Sequence, residues 1–305
     1  MLKRILISIV VCLAIVVIIF IWYINNQSIK VTIVKNAYND LVSENQKTSF
    51  DIDLYVNQKN SYITDLGKIS SCYLHSYNNS DKYQMNVNSI YLVNQTSISK
   101  DNYYVYKVNV SFKVNINDSL VMEEAYLTIN YNNAKSLDLM IGSVSFYYKD
   151  SVSDNLLTLS CMKAITRKID NIITIEGIII RLNAKKDIMI TNIELLDCNV
   201  TSNDVKLCNY ENTNSSNDLD YLFASSYNYL DINKNDYSYL ISGTCELAIR
   251  VGYKNHMEVN ALAIRIDYLE NGMLKSEYYD KFIYFVNNAK TVKVSDLTIY
   301  EFEYN

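Results

Sequence analysis

Apolar and polar residues alternate with a period of two along most of the chain beyond residue 30. The clearest run covers residues 104–116, where every second side chain is apolar or aromatic and most of the others are Lys, Asn or Ser. Such alternation predicts a β-strand with one buried and one exposed face. Alternation resumes at residues 125–131, after the polar turn Asn117-Asp118-Ser119, so we expect an antiparallel hairpin.

Three further runs complete a first group of predicted strands. Residues 50–56 and 144–148 alternate in the same way. Between them, Met85 and Val87 are followed by Ile90 and Leu92, a change of phase that predicts a β-bulge near Ser89. A first β-sandwich over residues 49–150 accounts for this group.

A second group of strands follows the short polar segment 149–155. Residues 172–180 are almost continuously apolar, which is typical of a central strand covered on both faces. Asn271-Gly272 predicts a two-residue type I′ turn, because both positions need a positive φ. A second sandwich over residues 151–305 is therefore predicted, with strands at residues 156–164, 172–182, 188–196, 245–251, 262–269, 274–286 and 292–304.

Two segments are less regular. Residues 199–220 are rich in Asn, Ser, Thr and Asp, which predicts a long exposed loop. Residues 25–48 are ambiguous, because Val31 and Ile33 favour a strand whereas the spacing of Ala37, Leu41 and Val42 favours a helix. We interpret residues 25–48 as a partly helical stalk.

The first residues of the chain have a different pattern. Residues 5–23 form one unbroken apolar run, which as an α-helix reaches roughly 28 Å, about the thickness of a bilayer's hydrocarbon core. Lys3 and Arg4 precede this run, and Trp22 and Tyr23 end it. Basic residues before the first span stay in the cytoplasm, and aromatic residues favour the membrane interface.

The sequence thus predicts a cytoplasmic tip at residues 1–4 and a single transmembrane anchor at residues 5–24. The bulk of the chain is expected outside the plasma membrane, with the N-terminus inside and the C-terminus outside. A cleaved signal peptide would have a shorter apolar region followed by small residues, whereas Trp22 and Tyr23 stand at that place here.

Composition restricts the possible functions. The chain lacks Pro, has 6 Gly and 28 Tyr, and is rich in residues with AT-rich codons, as expected of an AT-rich bacterial genome. The many tyrosines therefore do not by themselves indicate a binding face. A net charge of −5 without any basic cluster argues against nucleic acid as a partner.

The cysteines allow two interpretations. Cys198 and Cys208 flank an Asn-, Ser- and Asp-rich segment and form a possible disulfide outside the cell. The alternative is that both are small apolar residues of a β core.

One sequence feature resembles a catalytic site. Thr244-Cys245 with Arg250 is similar to the Thr-Cys and Arg pattern of sortases, which are membrane-anchored transpeptidases. That resemblance implies a nearby histidine, but His75 lies far upstream and His256 follows the cysteine. Cys245 also alternates in phase with apolar Leu247 and Ile249, so a core position is favoured and the sortase interpretation is disfavoured.

Metal sites are not favoured either. Residues 231–236 begin like a calcium-binding loop, but Asp236 stands where a glycine is needed and Ser242 where a bidentate Glu is needed. Cys72 and His75 form a pair without further ligands. No cofactor is predicted.

The sequence predicts an all-β protein with two consecutive antiparallel, Ig-like β-sandwich domains behind one transmembrane helix. Its expected role is a non-enzymatic interaction module of the cell envelope, contacting membrane lipid through its anchor and an envelope protein or glycan through loops or a sheet edge. The alternatives are a structural component of an envelope assembly and, less favoured, an exported hydrolase or transpeptidase.

Overall fold

The structure is a computed structural model. It describes residues 13, 15–17, 28–43, 46–77, 82–98, 101–113, 119–149, 156–169, 172–209, 223, 230–232, 239–254, 262–282 and 297–302. Beyond residue 28 these residues form sixteen strands and two 3-10 turns, Tyr62–Thr64 and Leu66–Lys68. The strands are β1 Ile29–Ile33, β2 Asn36–Val42, β3 Lys47–Val56, β4 Ile69–Ser76, β5 Lys82–Ile98, β6 Asp101–Lys113, β7 Leu120–Tyr131, β8 Ser136–Tyr148, β9 Leu157–Ile169, β10 Ile172–Leu196, β11 Val200–Asn209, β12 Leu230–Ile232, β13 Tyr239–Tyr253, β14 Leu262–Glu270, β15 Met273–Phe282 and β16 Ile299–Phe302.

Nine strands, β1 to β8 and β16, form the first sandwich. Their order is β16-β1-β3-β6-β5-β4-β7-β8-β2. Strand β5 belongs to both layers, since residues 82–85 pair with β4 and residues 86–98 pair with β6. Apolar side chains of both layers meet in one buried cluster that includes Leu54, Val108, Leu74, Leu127 and Leu139.

The order of these strands is that of an immunoglobulin-like sandwich. In order across the layers, β1, β3, β6 and β5 occupy the places of strands A, B, E and D, and β4, β7 and β8 those of C, F and G. Strand β2 lies parallel to β8 at the edge of the second layer. The all-β, β-sandwich prediction is confirmed for this part of the chain.

The predicted hairpin between residues 104–116 and 125–131 is wrong. Both strands exist, as β6 and β7, but β6 lies between β3 and β5 while β7 lies between β4 and β8. Alternation determines which face of a strand is buried and leaves its neighbour undetermined. The bulge near Ser89 is confirmed by a register shift between Val87 and Ser89.

The predicted stalk is also corrected. Residues 29–33 and 36–42 are strands β1 and β2, and β3 begins at Lys47. Val31, Ile33, Tyr38 and Val42 are buried in the first core. The apolar residues whose spacing suggested a helix lie on β2 on both of its faces: Tyr38 and Val42 face the first core, and Leu41 packs against the second unit.

The second unit is built around one long strand. Residues 172–182 and 188–196, predicted as two strands, form the single β10, with a register shift between Ala184 and Ile188. The first half of β10 lies between β9 and β13, and its second half pairs with β14. Both halves contribute to one buried cluster, so the sheet folds over itself. The central position predicted for residues 172–180 is confirmed.

The predicted loop at residues 199–220 is corrected over its first half. Residues 200–209 form β11, which pairs with β13, and Val205 and Leu207 are buried in the second core. Thr, Ser, Asn and Asp occupy residues 201–204 just before them, which hid the strand in the sequence. At the other end of the unit, Asn271 and Gly272 have φ values of 51° and 78°, which confirms the predicted turn.

The C-terminal strand β16 does not belong to the second sandwich, to which the sequence prediction assigned it. β16 pairs antiparallel with β1 and therefore belongs to the first sandwich. Phe302 is buried there against the rings of Tyr62 and Tyr131. The first sandwich thus combines residues 28–149 with residues 297–302, and the second unit is inserted between β8 and β16.

Gly142 permits the close approach of β2 to β8. Its φ is +120°, and a Cβ atom built on it lies 2.1 Å from the carbonyl oxygen of Asn36, its partner in the parallel pair. Neither this dihedral nor this distance is compatible with a side chain.

We expect Gly142→Ala to lower the free energy of unfolding by about 3 kcal/mol or more, because backbone strain and overpacking add. Gly272→Ala is the matched control, since Gly272 also has a positive φ but no atom within 4 Å of its Cβ position. It should cost only about 1–2 kcal/mol. Urea unfolding of residues 28–305 measures both values, and equal losses would contradict this account of Gly142.

Candidate interaction surfaces

A buried polar turn connects the two units. Asp197, Cys198 and Asn199 link β10 to β11 and are all buried. The amide of Asn199 donates from Nδ2 to Ser143 Oγ at 2.6 Å, and the backbone N–H of Cys198 donates to Ser145 Oγ at 3.1 Å. Both serines lie on β8 of the first sandwich.

The Asp197 carboxylate accepts from both units. Asn39 of β2 donates from Nδ2 to Asp197 Oδ2 at 2.7 Å, and the backbone N–H of Asn199 donates to Oδ1 at 2.8 Å. Burial raises the pKa of Asp197, although these hydrogen bonds oppose the shift. The carboxylate is therefore held by hydrogen bonds in a place that disfavours its charge.

Apolar contacts surround this turn. Leu41 of the first sandwich packs with Leu196 and Ala263 of the second, flanked by Tyr147 and Tyr278. At the rim, Lys254 Nζ lies 3.3 Å from Glu123 Oε1. Polar and apolar contacts together hold the two units in one arrangement.

An apolar row crosses the outer face of the second unit. Met189 pairs with Leu240 on one side and with Leu269 on the other, and Leu269 pairs with Leu274. Directly paired residues point to the same face of a sheet, so four aliphatic side chains from four strands lie side by side. Leu240 is 66% exposed and Leu274 is 67% exposed, and we call these four residues the aliphatic row.

An ion-pair cluster stiffens the hairpin that carries one end of the aliphatic row. Glu270 accepts from Lys275 Nζ at 2.6 Å and from Lys186 Nζ at 3.1 Å. Both contacts lower the pKa of Glu270, and the hydrogen bond from Lys275 has the larger effect. Glu270 and Lys275 directly follow Leu269 and Leu274, so they point to the opposite face and leave the row uncovered.

A second exposed apolar site lies on β5 of the first sandwich. Tyr91, Leu92 and Val93 are 50%, 38% and 48% exposed. From Ser89 onwards β5 pairs with β6 on one side, and no strand among the described residues lies on its other side. This edge of β5 presents unpaired backbone groups as well as apolar side chains.

A cluster of polar side chains lies on the outer face of the first sandwich. His75 Nε2 lies 2.8 Å from Thr128 Oγ1 and 3.1 Å from Asp138 Oδ1, while Nδ1 lies 2.8 Å from the carbonyl oxygen of Ser76. The Thr128 hydroxyl donates to Asp138 at 2.7 Å. Both Thr128 and Asp138 meet the same ring nitrogen, unlike a catalytic triad, in which the acid orients the histidine through its other nitrogen. The cluster therefore joins β4, β7 and β8 on an open sheet face.

The residues that resemble a sortase site are not brought together. Cys245 is fully buried in the second core, whereas Arg250 points to the opposite face, with its guanidinium 4.7 Å from the ring of Phe223. His75 belongs to the first sandwich, and His256 lies outside the described residues. This placement gives Cys245 no histidine from the described part of the chain.

Within the described residues, no group of three or more His, Cys, Asp or Glu side chains is placed to hold a metal ion. Cys72 lies in the first core, where burial raises its pKa to about 12, and His75 points to the opposite face. Of the calcium-like segment 231–236, the structure describes residues 231–232, in β12.

Cys198 is buried, and its Sγ lies 3.8 Å from the carbonyl oxygen of Met122. Cys208 lies on β11, but its side chain is outside the described residues. The possible disulfide between Cys198 and Cys208 therefore stays a prediction.

The predicted anchor falls almost entirely outside the described residues. Lys3, Arg4, Trp22 and Tyr23 are among those not described, and only residues 13 and 15–17 of the anchor are, in helical conformation. The helices of the described part of the chain include none that is long and apolar enough to cross a membrane.

Comparison with known proteins identifies no family. No protein-family model matches the chain, and no curated protein matches it in sequence. Among solved structures, a titin fragment is 8% identical, with 82% of this chain and 97% of that chain covered and a TM-score of 0.20. The C-terminal domain of the AgI/II polypeptide BspA from Streptococcus agalactiae is 9% identical, with 82% and 97% covered and the same TM-score of 0.20. Nothing further rests on these similarities, and the β-sandwich architecture follows from the strand pairing.

Sequence reasoning missed the aliphatic row and the junction between the units. The four members of the row are spread from residue 189 to residue 274, and only the strand register unites them. For the edge of β5 a signal did exist, because residues 83–99 contain no charged side chain.

The raised pKa of Asp197 predicts how pH acts on stability. A carboxyl whose pKa is higher in the folded than in the unfolded protein favours folding at low pH, and this contribution is lost as pH rises through the folded pKa. We expect Asp197→Asn to lose less stability than the native chain between about pH 3.5 and pH 7, because the amide never ionises. Its nitrogen cannot accept, so one of the two hydrogen bonds to this side chain is lost. Urea unfolding across this pH range measures the effect.

Asp197→Ala is the companion variant, because it removes both acceptors and leaves the buried donors of Asn39 and Asn199 without them. It should cost about 2 kcal/mol or more at low pH. The cost should be smaller at pH 7, because the variant also removes the buried charge. A pH dependence of Asp197→Asn identical to that of the native chain would contradict the assignment.

Proposed function

We propose that the chain is a single-pass plasma-membrane protein whose two sandwiches lie outside the cytoplasm and act as a non-enzymatic interaction module of the cell envelope. Residues 5–24 are its anchor in this proposal, and Lys3 and Arg4 keep its N-terminus inside. The observation that carries the binding role is the aliphatic row on the second unit.

The chemistry of the aliphatic row favours a protein partner. Its side chains are aliphatic and contiguous, whereas isolated exposed apolar residues are normal on any surface. Burying an exposed leucine contributes about 1.5–3 kcal/mol, so the two most exposed members suffice for a substantial part of an affinity. A glycan would be better served by an aromatic platform, because ring faces stack on aromatic side chains.

The non-enzymatic assignment is supported by the placement of the residues that resemble a transpeptidase. Cys245 packs in a core, and Arg250 faces away from it. A thiolate nucleophile needs both access and a neighbouring base or cation.

The second candidate function, a structural component of an envelope assembly, is favoured by the junction at Asp197 and Asn199. A spacer must keep its shape, and buried hydrogen bonds across two units resist their separation. The two roles are compatible, since a rigid spacer also presents a binding surface at a fixed position.

The membrane topology has a direct test, because Cys161 on β9 carries an exposed thiol. We expect a membrane-impermeant maleimide to label the full chain on intact cells, and Cys161→Ser to remove most of this label. Labelling of Cys161 only after cell lysis would overturn the proposed orientation.

The binding role is tested by capture from envelope extract with residues 28–305 as bait. We expect the double variant Leu240→Glu with Leu274→Glu to retain about a hundredth of the partner held by the native bait, since two buried leucines account for roughly 3 kcal/mol or more.

The matched control is Val121→Glu with Leu159→Glu, which changes two other exposed aliphatic side chains outside the aliphatic row. It should capture the same partner as the native bait. If the row variant and the native bait hold equal amounts of every protein, the row is not the binding surface.

A further inference from the structure

The exposed edge of β5 has apolar side chains on both of its faces. Ile90 and Leu92 lie opposite Val108 and Tyr106, on the face that covers the first core, whereas Tyr91 lies opposite Lys107 on the outer face. Successive side chains of a strand point to opposite faces. A ligand resting on one face of the sheet reaches only half of this patch, whereas a strand added along the edge contacts both halves.

This edge has few of the features by which soluble proteins prevent an exposed edge strand from pairing with another chain. Charged side chains and proline are the usual means, and residues 83–99 contain neither, the longest uncharged stretch beyond the predicted anchor. Two register shifts are the remaining protection, between Val87 and Ser89 and between Leu92 and Asn94. They leave the regular segment 89–92 between them.

We propose that this segment pairs with the same segment of a second copy of the chain, as antiparallel strands related by a two-fold axis at Tyr91. In this register Tyr91 faces Tyr91 of the partner subunit, and Ile90 faces Leu92 of the partner subunit. The resulting dimer is independent of the aliphatic row, which lies on the other unit.

The observations favour a second copy over an unrelated strand. A two-fold axis perpendicular to the sheet keeps like faces together, and Ile90 and Leu92 do share a face. The pairs at residues 90, 91 and 92 then join apolar to apolar, including one aromatic pair, and such pairs stabilise a sheet. A charged strand would meet its own charge across the axis, whereas this one is neutral.

The pairing is short, because the register shift at Val93 ends the regular segment on one side and that at Asn88 on the other. A few cross-strand pairs give a weak interface in dilute solution. Neighbouring copies held in one membrane meet at a high effective concentration, which makes a weak interface sufficient.

The test is cysteine cross-linking of the full chain in membranes, in a background with Cys12, Cys161 and Cys208 replaced by Ser. Tyr91→Cys places a thiol at the axis, next to its own copy. Gln95→Cys is the matched control on the same strand, because a residue four positions from the axis lies about 25 Å from its counterpart. We expect at least tenfold more disulfide-linked dimer for Tyr91→Cys, and equal yields would overturn the proposal.

A second variant covers the case in which the smaller side chain weakens the pairing. Tyr91→Lys places two like charges at the axis and should reduce the dimer fraction of the full chain in membranes at least tenfold, as counted by single-molecule photobleaching. Tyr77→Lys changes another highly exposed tyrosine away from this edge and should leave the dimer intact.

A native chain that is monomeric in membranes, or a dimer that persists there in Tyr91→Lys, would overturn the proposal. Binding of a foreign extended peptide to a monomeric chain would do so as well. None of these results touches the aliphatic row, whose own variants test the proposed function separately.

Discussion

The turn formed by Asp197, Cys198 and Asn199 is the constraint on which the arrangement of the two units depends. It carries a carboxylate and an amide into a place from which water is excluded, and such groups are costly to bury unless they are hydrogen-bonded. Three of their side-chain partners, Asn39, Ser143 and Ser145, come from the other unit. Moving the units apart therefore breaks several hydrogen bonds together and exposes the apolar contacts around Leu41.

One short segment of β8 serves both the first sandwich and this junction. Gly142 lets β2 approach closely enough to close the edge of the sandwich, and the next residues include Ser143 and Ser145, which receive the turn. The small side chains leave room for the turn and supply hydroxyl groups to it. Stability of the first sandwich and attachment of the second are thereby coupled through the same few residues.

The strands were largely predictable from the sequence, whereas their pairing was not. Period-two alternation reports which side of a strand is buried, and this information is local, as residues 104–113 illustrate. The partner of a strand depends on residues far away, such as β16, which pairs with β1 across almost the whole chain. The loop prediction for residues 199–220 was wrong at β11 because it relied on the polar composition of the segment and not on the alternation of Val205 and Leu207.

The two exposed apolar sites gain significance from the junction between them. A dimer formed through β5 of the first sandwich carries two aliphatic rows, one on each second unit. With rigid junctions, these rows stand at one fixed separation, and a partner that matches the separation binds both with an affinity well above that for one. A flexible connection would spread the separation over a wide range and lower the effective concentration of the second contact. The buried turn at Asp197 therefore determines how far the two aliphatic rows of a dimer strengthen each other's binding of one partner, although the turn belongs to neither surface.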